Sequence, residues 1–65
     1  MTDDEFRAAI QSLDLPDKDA GRVLGCDPRT IRRWMSGERS VPEAIAKLVR
    51  LLLAGRLTVE EVENA

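Results

Sequence analysis

Histidine and tyrosine are absent from this chain, and cysteine occurs once, as Cys26. A lone cysteine excludes an intrachain disulfide, and without histidine the usual zinc ligand sets cannot be assembled. The same gaps argue against an enzyme, because the thiol has no histidine to act as its base. The carboxylates fall at expected helix starts and in the tail, where capping accounts for them. A chain this small also lacks the bulk for a deep pocket. No metal, cofactor, small-molecule effector or catalysis is expected.

Aromatic residues are scarce too, with only Phe6 and Trp34. Proteins that bind single-stranded nucleic acid interleave several aromatics with basic residues. Core packing therefore explains Trp34 better than base stacking does. The longest apolar run, Leu51-Leu52-Leu53-Ala54, falls far short of the roughly 20 residues a membrane span needs. No secretory signal is visible, and one unpaired cysteine suits a reducing compartment, so a cytoplasmic location is expected.

The 65 residues make one domain at most. A chain of this length buries only about 60% of its unfolded surface. With no disulfide or metal to staple it, association with a second copy is the expected extra source of stability. A net charge of −2 taken alone disfavours a nucleic-acid partner, but its distribution reverses the inference. Residues 1–21 hold two basic and six acidic side chains, and residues 40–65 hold three and four. Residues 22–39 carry five arginines against Asp27 and Glu38. That local field matters more for DNA than the whole-chain sum.

The pattern predicts helices throughout, since no segment alternates with period two. The first is expected over Asp3 to Leu13. Thr2 and Glu5 have capping-box spacing, and Phe6, Ala9, Ile10 and Leu13 form one apolar stripe. Asp14-Leu15-Pro16 ends it. The second begins near Pro16-Asp17, turns Ala20, Val23 and Leu24 inward, and stops at Gly25. The third starts at the Asp27 cap with Pro28 in the first turn, runs to Ser36 and ends at Gly37. The fourth opens at Pro42 and reaches Ala54, with Ile45, Leu48, Val49 and Leu52 as its core stripe. Thr58 and Glu61 repeat the capping-box spacing, so a short fifth helix is expected.

Residues 17 to 36 carry the functional signal. Gly21 puts a glycine inside a helix, at about 1 kcal/mol relative to alanine, and such a cost wants a packing reason. Gly21, Gly25, Ile31 and Trp34 have the spacing two helices need to cross steeply around a tight turn. The unit reads as a helix-turn-helix DNA reader. The plainer reading is a helical bundle with a chance glycine.

On the third helix, Arg29, Arg32, Arg33 and Ser36 share the side opposite Ile31 and Trp34. Arginine forks match O6 and N7 of guanine in the major groove, and they equally suit phosphates. Arg29 and Arg33 are the best candidates for base edges. Arg32 and Thr30 suit either bases or backbone. Lys18, Arg22 and Arg39 flank the unit and can reach phosphates, as can free backbone N–H groups at the starts of helices two and three. The alternative is an ordinary solvated basic face. Cys26, in the turn, is expected to be a buried, inert thiol.

The stretch Leu24-Gly25-Cys26-Asp27-Pro28-Arg29-Thr30-Ile31-Arg32-Arg33-Trp34-Met35-Ser36-Gly37, within residues 5 to 53, resembles the Cro/lambda-repressor-like (XRE) family of helix-turn-helix regulators. Pro42 followed by an apolar helix is similar to small bacterial and phage members. The resemblance implies an all-α, lambda-repressor-like bundle of four to five short helices with a central helix-turn-helix. It also implies a dimer on an inverted-repeat operator. This chain departs from the family pattern in three places. Gly21 stands where alanine is commoner, Pro16-Asp17 replaces the usual polar cap and glutamine, and Pro28-Arg29 replaces a glutamine that reads adenine in some relatives. A base preference therefore does not carry over.

The leucine run supplies the second clue. Leu51 and Leu53 extend the apolar surface of helix four almost around its circumference, and a helix of that kind wants burial on more than one side. A homodimer surface of Leu51, Leu53, Leu57, Val59 and Val62 is expected; the alternative is a tail that folds back within the monomer. The function expected is double-stranded DNA binding by a dimeric transcriptional regulator, a repressor that occludes a promoter, with its own promoter as a candidate. The different-class alternative is a protein-interaction module, such as an antitoxin-type or anti-activator partner, that keeps the fold without binding DNA.

Overall fold

Local chemistry places the helix boundaries. The computed structural model describes residues 1–65 and contains five helices and no strand. They are α1 (Asp3–Ser12), α2 (Asp17–Leu24), α3 (Pro28–Ser36), α4 (Glu43–Leu53) and α5 (Val59–Glu63). The all-helical class expected from the sequence is what forms.

α1 and α5 open with the same device. The Thr2 hydroxyl accepts the Glu5 N–H while the Glu5 carboxylate accepts the Thr2 N–H, both at 3.1 Å. Thr58 and Glu61 repeat this at 3.1 and 2.9 Å. Each box satisfies two backbone donors that a helix start would otherwise leave unpaired. At α3, the Asp27 carboxylate accepts the Arg29 N–H at 2.8 Å, and Pro28 takes the first helical position. α2 and α4 start behind Pro16 and Pro42 with no side-chain cap. α2 and α3 both end on a left-handed residue, Gly25 at φ 73° and Gly37 at φ 80°, where glycine carries no Cβ penalty. α1 stops one residue before the expected Leu13, which becomes its C-cap, and the chain then turns through Asp14 at φ 56°.

The core forms where α1, α2 and α3 meet. Phe6, Ala9 and Ile10 from α1, Ala20 and Leu24 from α2, and Ile31 and Trp34 from α3 pack there with Val49 from α4. Phe6 and Trp34 meet edge to face, with centroids 5.7 Å apart and planes at 89°. This arrangement contributes about 0.5–1.5 kcal/mol beyond the area it buries. Trp34 is thus a core residue, as expected.

α4 sits slightly rotated from its expected stripe. Ala46, Val49 and Leu52 are buried, while Ile45 and Leu48 are half-buried at the core margin. Alanine is weak in a periodicity count, yet its small side chain lets α4 settle against α1. No helix is long and apolar enough to cross a membrane.

Candidate nucleic-acid interface

The α2–turn–α3 unit is fixed by Gly21. A Cβ at that position would stand 2.5 Å from the carbonyl oxygen of Cys26 and 3.4 Å from the backbone nitrogen of Pro28. The expected close approach exists, but the partner differs from the one expected. Gly21 makes room for the turn backbone, not for the side chains of Ile31 and Trp34. The Cys26 N–H donates to the Gly21 carbonyl at 2.8 Å, which closes the turn. Cys26 itself is half-buried, and its thiol donates to the Leu24 carbonyl at 3.5 Å. Burial pushes its pKa up, which favours the protonated thiol, although the sulfur is less buried than expected.

Ile31 is fully buried and Trp34 is nearly so. Their burial fixes the rotation of α3 and turns Arg29, Arg32 and Ser36 to solvent. Arg29 and Arg32 are exposed and make no ion pair. Arg33 is half-exposed and sits 4.0 Å from Glu38, a loose contact of the kind worth little in water. Thr30 is half-buried. The Ser36 hydroxyl donates to the Arg33 carbonyl at 3.2 Å and accepts the Glu38 N–H at 3.4 Å. Ser36 therefore finishes the helix as well as facing solvent.

The flanking cations divide. Lys18 and Arg39 are exposed with no carboxylate partner. Arg22 is engaged twice, with Asp19 at 2.9 Å and Glu63 at 2.6 Å. Of the two helix starts expected to offer backbone N–H groups, that of α3 is partly occupied by Asp27. α2 has no side-chain cap, but Asp17 and Asp19 lie in its first turn.

Arg7 is a positioning residue that the sequence reading missed. Its guanidinium donates to the Met35 carbonyl at 2.5 Å, next to the end of α3. It also pairs with Asp4 and lies 3.5 Å from Asp3. This cation on α1 thus pins the far end of α3. The available signal was a single arginine one turn after the acidic residues that open α1.

The expected dimer surface splits in two. Leu51 and Leu53 are exposed, at 42% and 46%. Leu57, Val59 and Val62 are half-buried, because the tail folds back and α5 packs on α2. Leu57 and Val62 line a groove with Val23, Leu24 and Leu48. The tail thus takes the alternative course, and only the α4 leucines remain as open apolar surface.

No cluster of histidine, cysteine or carboxylate residues has metal-binding geometry. α3 thus presents exposed, unpaired Arg29 and Arg32 on a helix whose rotation is locked by Ile31 and Trp34. No protein-family model, curated protein or solved structure matches this chain.

Proposed function

We propose that this protein binds double-stranded DNA in a sequence-specific way and acts as a transcriptional regulator. α3 lies in the major groove, α2 braces it, and two copies joined through Leu51 and Leu53 bind an inverted repeat. Two-fold symmetry then sets the half-sites about 34 Å apart, or roughly 10 base pairs. Occupancy of a promoter by so small a dimer represses by occlusion.

One observation carries this reading. Arg29 and Arg32 stand free of carboxylates on the exposed side of a helix whose other side is locked by Ile31 and Trp34. Like charges three residues apart repel one another and call for an anion. Arg29 and Arg32 join Arg33, Thr30 and Ser36 as candidates for base and phosphate contacts. Lys18 and Arg39 serve the backbone.

The test is selection of bound sequences from a random duplex library, with an Arg29→Ala/Arg32→Ala variant alongside. An inverted repeat enriched by the native protein and lost in the variant supports the reading. No enrichment, with equal weak binding by both, removes it.

The net charge of −2 and the exposed Leu51 and Leu53 favour a second reading, a protein-interaction module. Salt separates the two. A protein contacting 6–10 phosphates loses about 10³–10⁵ in affinity between 50 and 200 mM salt, whereas an apolar interface hardly responds.

A further inference from the structure

Six ion pairs join side chains in this molecule, and all but one link residues close in sequence. The exception joins Arg22 to Glu63 at 2.6 Å across a separation of 41 residues. It ties α2 to α5, alongside the apolar packing of the half-buried Leu57, Val59 and Val62. No residue of α5 is buried. Leu57 and Val62 lie along a groove of about 440 Å³ that they do not fill, facing Val23, Leu24 and Leu48. α5 carries Glu60, Glu61 and Glu63 and no basic residue.

Lys18 and Arg22 are four residues apart on α2, so they share a face. Lys18 is free, whereas Arg22 is 61% exposed and still paired with two carboxylates. An exposed ion pair is weak and is screened by salt. Glu63 and a DNA phosphate therefore compete for the same guanidinium, and phosphate binding there must first displace the carboxylate.

We propose that α5 is an autoinhibitory clasp. Docked through Glu63, it withholds Arg22 from DNA phosphates, and its release adds Arg22 to the binding edge begun by Lys18. The proposal rests on the DNA-binding reading above.

The test uses the full chain and a duplex DNA probe, read by fluorescence anisotropy. The variants are Glu63→Gln, Arg22→Gln, the double variant, and Glu60→Gln as a control with the same charge change. Glu63→Gln is expected to bind about threefold tighter at 50 mM salt and to steepen the log–log salt slope by about 0.9 per protomer, the signature of one added phosphate contact. The double variant loses the gain, because no guanidinium is left for Glu63→Gln to release. The Val62 and Asn64 amides, bonded to the Thr58 and Glu60 carbonyls, exchange faster in Glu63→Gln while α1 to α3 stay protected.

A gain equal to that of Glu60→Gln overturns the clasp, as does a gain that survives in the double variant or unchanged exchange in α5. If binding depends on Arg29 and Arg32 but ignores Glu63, only the clasp falls. If no variant binds duplex DNA, the regulator reading falls and the clasp's role with it.

Discussion

Thr2 and Thr58 start α1 and α5 with the same capping box, each threonine answered by a glutamate three residues on. Behind the first box, Phe6, Ala9 and Ile10 enter the core. Behind the second, nothing is buried. Caps decide where a helix begins, but tertiary burial decides how firmly it is held. The α1–α2–α3 core should therefore open only with global unfolding, and α5 should open locally and first.

The strongest test of that contrast sets one core side chain against one from the tail. Trp34→Ala should cost about 3–5 kcal/mol, enough to unfold most of a domain this small. Val62→Ala, at a half-buried tail position, should cost under about 1 kcal/mol. Urea denaturation followed by circular dichroism measures both, and equal losses would break the comparison.

The contrast also runs across α3 itself. Arg29→Ala/Arg32→Ala should leave stability within about 0.5 kcal/mol. The same change should weaken specific DNA binding by about 1–3 kcal/mol for each guanidinium that reads a base. Parallel thermal melts and titrations separate the two effects.

Gly21→Ala sharpens the picture inside the core. Helix propensity alone predicts a gain of about 1 kcal/mol. The clash with the Cys26 carbonyl, 2.5 Å from the new Cβ, should reverse that into a net loss of about 1–3 kcal/mol. A rise in the urea midpoint would show that the turn yields freely.

Removing the two caps is the finest mutational test. Thr2→Ala should lower global stability by about 1 kcal/mol. Thr58→Ala should leave the melting temperature in place and speed amide exchange only in α5. The smallest effect is acid-dependent. The Thr2 N–H, and then its hydroxyl, hold the Glu5 pKa below the ordinary carboxylate value. Its stabilising contribution is present above the unfolded-state pKa and is lost as pH falls through the folded one. The α1 N-terminus should therefore fray in acid, and Glu5→Gln should flatten that response in an NMR titration of the Thr2 and Glu5 amides.

The local frame was readable because its signals are local. Thr2/Glu5, Asp27-Pro28, Gly25, Gly37 and Thr58/Glu61 each act within a few residues, and each marks the boundary expected of it. The inward residues of α2 and α3 followed from their spacing. Periodicity ranks alanine low, so Ala46 was overlooked although it is fully buried. Arg7 with Met35 and Arg22 with Glu63 span 28 and 41 residues. No local pattern encodes such pairings, since they depend on how finished helices are stacked. The course of the tail was unreadable for the same reason. Leu57 and Val62 have an apolar pattern that suits burial against α2 and burial against a second copy equally well.

Two glycines of the turn unit resist replacement for different physical reasons. Gly25 has a left-handed backbone, the customary mark of an obligatory glycine, yet a Cβ there would meet nothing within 4 Å. Asparagine tolerates such a backbone best among the other residues, and the rest are strained there whatever the space. Gly21 sits in ordinary helical backbone, where most residues are comfortable, and it has no room for a single methyl group. A saturation library should therefore hold glycine at the helical position for want of space, and admit little beyond glycine and asparagine at the turn.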